Sequence, residues 1–250
     1  GDGREGRPAV HCGHMCGRYG FGNPARLGTL PLGVTFPALA PRYNVAPSQA
    51  VPLVLPEGQA RELRLAKWGL IPFWADDPGI GHKLANARAD GIASKPAFRA
   101  AFKTQRGLMP ADLFYEWQVV PGHQGKQPWC IRLPDDEPFV MAALWDRWQP
   151  KHDPIADPVL TCCVVTTEAN ATMEPIHHRM PVILPLRDVE AWLDPQTTPA
   201  DAARLLRPYE GPLHAYQVKT WVNATRNDDP QCAIPLVRAD AHRSEQFFDD

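Results

Sequence analysis

The chain has 250 residues, of which 44% are hydrophobic, so it can build the core of one domain and is not generally disordered. The net charge is −2, yet residues 1–110 carry 14 basic and 7 acidic side chains, a charge of +7 that allows a polyanion-binding surface. No apolar run approaches the roughly 20 residues of a membrane helix. We therefore expect a cytoplasmic protein without a membrane partner.

Six segments have the apolar patterns of β-strands, and 28 prolines spread along the chain favour short strands and turns over long helices. In chain order the predicted strands are 51–55, 62–68, 113–117, 128–133, 139–145 and 160–167.

Predicted helices are few. One covers residues 90–103 and is interrupted by Pro96, a second covers 186–193, and a third begins with the capping pattern Thr198-Pro-Ala-Asp201 and continues to Pro208. These elements predict an α+β fold, a single domain around a curved, barrel-like, mainly antiparallel β-sheet with a few short helices. We predict an N-terminal extension over 1–14 (a tag, the result of a wrongly set start, or a removed segment), a domain over 15–238, and a disordered tail over 239–250.

The cysteines predict neither disulfides nor a metal site. The chain has six, without regular spacing or a signal peptide, so reduced thiols are expected. A cluster of His and Cys at 11–16 has no second ligand pair at zinc-finger distance, and no metal or cofactor is predicted. Cys130, Cys162 and Cys163 lie in apolar strand patterns and are predicted to be core thiols.

Glu116 and His177 are candidates for proton transfer. Glu116 is a single acid in the apolar segment 113–117, where burial would raise its pKa and allow it to exchange protons near neutral pH. On its own, a glutamate on the solvent side of a strand is the more common arrangement. His177 and His178 precede Arg179, and this pair is either an acid/base group of lowered pKa or, more commonly, two exposed histidines.

Cys16 offers a reactivity that the other cysteines of the chain lack. If Met15 is the initiator, its removal makes Cys16 the N-terminal residue, with a thiol and an α-amine on one residue. Such an aminothiol reacts with an aldehyde, because the amine forms an imine and the thiolate closes it into a five-membered thiazolidine.

Seven motifs, in order, resemble those of the SRAP (SOS-response-associated peptidase) family, and the resemblance covers Met15 to about Leu236. They are Met-Cys-Gly-Arg-Tyr at 15–19, Arg-Tyr-Asn-Val-Ala-Pro at 42–47, Trp-Gly-Leu-Ile-Pro at 68–72, Asn-Ala-Arg-Ala-Asp at 86–90, Phe-Tyr-Glu-Trp at 114–117, Val-Val-Thr at 164–166 and His-His-Arg-Met-Pro at 177–181.

The resemblance implies a sensor of abasic sites in single-stranded DNA that protects the lesion by a thiazolidine crosslink through Cys16, with some β-elimination as a side activity. It implies catalytic roles for Cys16, Asn86 (which orients the sugar), Glu116 (acid and base) and His177 (beside the lesion). It implies DNA contacts by Arg18 and Arg88 (phosphates), Phe73 and Trp74 (an aromatic wedge), Asn44 and Thr166. No cofactor or metal is implied, and we expect a monomer that associates with the nucleoid when bound to DNA.

Two other functions remain open. One is a cysteine peptidase in which Cys16 is the nucleophile, His177 and Glu116 support it, and the substrate is the chain's own N-terminus. The other is a non-covalent single-strand binder in which Cys16 is inert. The sequence departs from the family at Asp90, where Glu is frequent, and in the residues before Cys16, which block its α-amine while they are attached.

Overall fold

The fold is described by a computed structural model that covers residues 17–122 and 124–236. The predicted extension over 1–14, Cys16 and the predicted tail over 239–250 lie outside the described residues. Within the covered ranges, no helix has the length and apolarity needed to cross a membrane.

Short elements dominate these ranges. The strands are β1 (Arg18–Phe21), β2 (Arg42–Val45), β3 (Ala50–Glu57), β4 (Ala60–Trp68), β5 (Asn86–Arg88), β6 (Arg106–Ala111), β7 (Leu113–Val119), β8 (Lys126–Arg132), β9 (Phe139–Trp148), β10 (Val159–Glu168), β11 (Arg179–Pro181) and β12 (His214–Gln217). The α-helices are α1 (Pro24–Leu27), α2 (Arg99–Thr104), α3 (Val189–Leu193) and α4 (Pro199–Arg204). Short 3₁₀-helices cover Pro78–Lys83, Pro134–Asp136, Leu186–Asp188, Thr220–Asn223 and Pro230–Ala233.

Five strands close into a barrel in the order β10–β4–β3–β6–β9 and back to β10. Strand β10 closes the ring, because it pairs with β9 in antiparallel fashion from Val159 to Val164 and with β4 in parallel fashion at Thr161 and Cys162. The remaining pairs of the ring are antiparallel. The predicted α+β fold around a barrel-like, mainly antiparallel sheet is confirmed.

A second, antiparallel sheet has the strand order β12–β8–β7–β1–β2. One face packs on the barrel, where Phe114 and Ile131 belong to the same buried cluster as the barrel residue Met109. Tyr115 and Cys130 alternate with them and face the opposite way, against buried residues of the segment 218–233. Both faces of this sheet are therefore covered by protein.

All six predicted strands are present, as β3, β4, β7, β8, β9 and β10. The three predicted core thiols are fully buried, and this burial raises the pKa of Cys130 to about 11. The prediction of a helix over 90–103 is wrong for most of its length, since α2 begins only at Arg99. Gly91 has a φ of +83°, and Pro96 disfavours helical backbone before it, so turns occupy residues 91–98.

The predicted helix after Thr198 is present as α4 but ends at Arg204 and does not continue to Pro208. Its predicted cap is confirmed, because the hydroxyl of Thr198 accepts a hydrogen bond of 3.1 Å from the Asp201 N–H.

A buried arginine fixes the helices to the barrel. Arg106 of β6 is 1% exposed, and its guanidinium donates to the carbonyl oxygens of Phe102 (2.9 Å) and Trp192 (2.6 Å). It also donates to the carbonyls of Lys103, Asp194 and Thr197, and it lies 5.7 Å from the centre of the Trp192 ring. One side chain therefore satisfies the C-terminal carbonyls of α2 and of α3.

We predict that Arg106→Lys destabilises the fold, because an ammonium group has three donors and cannot reach all five carbonyls. The expected loss in the free energy of unfolding is about 2–4 kcal/mol, since each buried group left unpaired costs roughly 1–3 kcal/mol. Urea denaturation measures it. The control is Arg204→Lys at a side chain that is 80% exposed, where a change below about 0.5 kcal/mol is expected. Equal stability of the two variants would contradict this role of Arg106.

Candidate functional site

The candidate site forms where β10 extends beyond the barrel. After β4 ends, β5 continues along the same edge of β10, with Asn86 opposite Val164 and Arg88 opposite Thr166. On the other edge β11 places Arg179 opposite Glu168. Asn86, Arg88, Thr166 and Arg179 therefore lie on three neighbouring strands.

The chain can leave this edge and return to it because of Gly69. Its φ is +135°, and a Cβ there would stand 2.6 Å from the carbonyl oxygen of Gly81, so no other residue fits without strain. Main-chain bonds from Gly69 to Cys162 (2.7 Å) and from Val164 to Ala85 (3.0 Å) fix both ends of the excursion. The excursion over 70–84 carries the predicted aromatic wedge.

Asp90 connects two arginines of the site. Arg88 donates to both carboxylate oxygens of Asp90, at 3.1 and 2.6 Å, and Arg179 donates to one of them at 2.9 Å. The hydrogen bonds from Arg88 and then Arg179 hold the pKa of the Asp90 carboxyl well below its usual range. The cluster thus keeps one net positive charge, and the half-exposed Arg88 side chain presents it to solvent.

His177 precedes β11 and is oriented by the main chain of Arg179. Its Nδ1 lies 3.2 Å from both the N–H and the carbonyl oxygen of Arg179. Burial lowers the pKa of His177 and so favours the neutral ring. Nδ1 accepts the Arg179 N–H when it carries no hydrogen and donates to the Arg179 carbonyl when it does. His178 stacks beside it, with ring centres 4.4 Å apart.

Glu116 is buried on the barrel side of the second sheet. It is 2% exposed, so the alternative of a solvent-facing glutamate is wrong. It alternates with Tyr115 and therefore shares the face of Phe114. Two residues on, Gln118 donates a 2.8 Å hydrogen bond to the carbonyl of Pro175, which ties this end of β7 to the loop before His177.

Arg18 and Asn44 lie on the other face of that sheet, away from Glu116. Arg18 is opposite Tyr115 and donates to Asn44 Oδ1 (2.9 Å) and to the carbonyl of Val222 (2.7 Å). Its burial lowers the pKa of the guanidinium. Asn44 is fully buried and donates to the carbonyls of Val222, Ala224 and Asn227. The contacts described for Arg18 and Asn44 bind the 222–227 segment to this sheet. The DNA contacts predicted for both residues stay predictions.

Phe73 and Trp74 are surface residues, 57% and 43% exposed. Their turn is anchored from β9, because Asp146 accepts a 2.9 Å bond from the Phe73 N–H and Trp148 donates a 2.8 Å bond to the Ala75 carbonyl. The two aromatic rings line a shallow groove together with Pro96, Arg99 and Ala100.

Cys16 lies outside the described residues, so the site is described from the residue that follows it. Gly17 directly precedes β1, whose first residue Arg18 pairs with Tyr115, the neighbour of Glu116. Thr166 is fully buried, and its hydroxyl has no hydrogen-bond partner among the described residues.

Sequence reasoning missed the roles of Arg179, Asp90 and Asp146. A signal was present for the first two, since Asp90 ends the motif that contains Arg88, and Arg179 follows the histidine pair. Asp146 carried no signal, because its contact with Phe73 joins positions that are 73 residues apart.

Comparisons with known proteins agree on one family. The family model of SOS response associated peptidase (SRAP) matches residues 15–225. Abasic site processing protein YoqW of Bacillus subtilis (strain 168) is 41% identical over 193 residues, which are 76% of this chain and 84% of that protein. Abasic site processing protein HMCES of Gallus gallus is 33% identical over 228 residues, covering 78% and 66%.

Solved structures show the same fold. A protein from Bacteroides thetaiotaomicron has a TM-score of 0.78 at 27% identity and covers 89% of this chain and 100% of that one. A phage-related protein from Bordetella bronchiseptica has a TM-score of 0.63 at 25% identity, covering 82% and 94%.

We predict that Asn44→Ala lowers the free energy of unfolding by about 2–4 kcal/mol, because it leaves Arg18 and buried carbonyls without their partner at roughly 1–3 kcal/mol each. The control Asn223→Ala removes one exposed hydrogen bond from Trp117 in the same region and should cost less than about 1 kcal/mol. Thermal and urea unfolding measure both. Unchanged stability of Asn44→Ala with lost DNA affinity would instead identify Asn44 as a DNA contact.

Proposed function

The chain belongs to the SOS response associated peptidase (SRAP) family, and on that basis we propose that it recognises abasic sites in single-stranded DNA and crosslinks to them through Cys16. Relatives that share 41% and 33% of their aligned residues with it are named abasic site processing proteins. The observation that carries the proposal is the convergence of Asn86, Arg88 and Thr166 on adjoining strands, beside the segment of His177 and Arg179.

The proposed reaction joins an aldehyde to an aminothiol. The ring-opened abasic sugar presents the aldehyde, and the α-amine of Cys16 adds to its carbon. Loss of the resulting hydroxyl as water gives an imine, and the Cys16 thiolate then adds to the imine carbon to close the thiazolidine. One water leaves and no oxidant or cofactor is consumed.

Glu116 and His177 are the proposed proton-transfer groups. A buried carboxyl group can protonate the departing hydroxyl and take the proton back when the ring opens. A protonated His177 can give its Nε2 proton to the ring oxygen of the sugar and become neutral, while the hydrogen on Nδ1 stays hydrogen-bonded to the Arg179 carbonyl.

Recognition is proposed to rest on phosphate and on the gap in the base stack. A single strand without a base at the lesion offers only backbone charge and neighbouring bases. Arg88, held by Asp90, can bind a phosphate oxygen, and the exposed rings of Phe73 and Trp74 can cover the adjacent base. Asn86 and Thr166 contribute polar groups to the sugar pocket in this proposal.

The proposal requires a chain that begins at Cys16. A thiazolidine needs the thiol and a free amine on the same residue, and the peptide bond to Met15 blocks that amine. A cysteine inside a chain could form only a hemithioacetal, which is readily reversed and does not survive denaturation. The active protein is therefore proposed to lack residues 1–15.

We predict that mixing the protein with a single strand containing an abasic site gives a denaturant-resistant species, whose intact mass is that of the strand plus that of the chain from Cys16 onward, minus one water. N-terminal sequencing of its peptide should begin at Cys16. Cys16→Ser, and an oligonucleotide whose abasic sugar lacks the aldehyde, are the controls and should give none.

A crosslink on a chain that still carries Gly1 would rule out the thiazolidine. Binding without any crosslink would favour the non-covalent binder, and release of residues 1–15 without a DNA product would favour the self-cleaving peptidase.

We further predict that Glu116→Gln retains DNA affinity but slows crosslinking about 100-fold or more, because an amide cannot exchange a proton and general acid–base catalysis typically contributes 10²–10⁴-fold. Its reversal should slow in parallel. Quenched-time gels measure the rates, and the exposed Glu174→Gln is the matched control. Kinetics equal to those of the control would remove Glu116 from the mechanism.

A further inference from the structure

A row of basic side chains lies beside the aromatic groove and has no role in the chemistry described above. Lys95, Arg99 and Lys103 are all exposed, and residues 91–111 contain no acidic side chain. Among the described residues, none of the three cations forms an ion pair. Their charge is therefore available to a ligand.

Arg99 and Lys103 share one face of α2, and Lys95 lies in the turn before it. The Arg99 N–H donates to the Lys95 carbonyl at 2.9 Å, a bond between positions i and i+4 that places Lys95 about one turn before Arg99. Spacings of four residues place side chains one above the other, so the row is about 12 Å long at about 1.5 Å per residue. The opposite face is buried through Ala101 and Phe102.

The row runs from the arginine cluster to the aromatic pair. The side chain of Lys95 lies over Gly91, where a Cβ would meet its Cε at 3.4 Å, and Gly91 follows Asp90 of the arginine cluster. Arg99 lines the groove together with Phe73 and Trp74. The row therefore begins beside the arginine cluster and passes the aromatic pair at Arg99.

We propose that the row Lys95–Arg99–Lys103 is a second phosphate-binding surface, which holds the DNA backbone where it continues past the aromatic pair. This inference rests on the proposed function. Stacking rings next to unpaired cations match a single-stranded nucleic acid, whose bases stack while its backbone follows positive charge. At about 3.4 Å per nucleotide of a strand, 12 Å corresponds to roughly three nucleotides.

The test compares two triple variants with the same loss of charge. Lys95→Ala/Arg99→Ala/Lys103→Ala removes the row, and Arg187→Ala/Arg204→Ala/Lys219→Ala removes three exposed cations elsewhere. Melting curves establish that both fold. Affinity is measured over a salt series for strands with an abasic analogue that lacks the aldehyde, one of about 20 nucleotides and one of about 3, whose roughly 10 Å is shorter than the row and cannot span both surfaces.

For the long strand, the plot of log K against log salt has a negative slope. The row variant should reduce the magnitude of this slope by about 2, since each phosphate contact of a single strand contributes about 0.7. The control variant should keep the wild-type slope. For the short strand, the wild-type protein and both variants should have the same slope. A wild-type slope for the row variant on the long strand would overturn the proposal. An equal reduction of the salt slope for the long and the short strand would also overturn the proposal, because the cations would then act at the lesion itself.

Crosslinking of a short, aldehyde-bearing strand separates the two proposals. The row variant should crosslink it at the wild-type rate. Wild-type protein that shows the length-dependent salt effect but never crosslinks would refute the covalent function and leave the row as a DNA-binding surface.

Discussion

The main-chain pairing of β10 is the constraint on which the rest of the structure depends. This strand bonds to β9 and β4 to close the barrel, and its last residues bond to β5 and β11 to build the candidate site. One continuous strand therefore transmits the rigidity of a closed sheet, which has no free edge, to the residues of the candidate site. The positions of Arg88 and Arg179 follow from barrel closure and not from flexible loops.

Environment, and not residue type, separates the arginines of this chain into two groups. Arg18 and Arg106 are buried, and their guanidinium groups donate hydrogen bonds to backbone carbonyls. Both side chains therefore stabilise the packing of neighbouring segments of the chain. Arg88 is half exposed and shares a carboxylate with Arg179, so its cluster retains charge toward solvent. The basic first half of the chain is thus partly architectural, and only the exposed subset can account for binding a polyanion.

Pattern reasoning identified six of the seven strands that have six or more residues, because their apolar patterns extend over at least five residues; it missed β6. It could not find β5 and β11, since three residues carry no period, and both contribute to the site. It could not choose the face of Glu116 either, because the second sheet is covered on both sides and apolar residues occur at every position around this acid. The motifs identified the residues of the site, whereas long-range pairing determined which of them meet.

The bonds from Arg18 to Val222 and Asn223 join positions 204 and 205 residues apart. At 5–20 residues per second, a ribosome needs roughly 10–40 s to make that length of chain. During this time the first strand lacks the segment that completes its burial. The sheet that carries Glu116 is therefore completed only after nearly the whole chain has been made, and it cannot serve as an early template for folding.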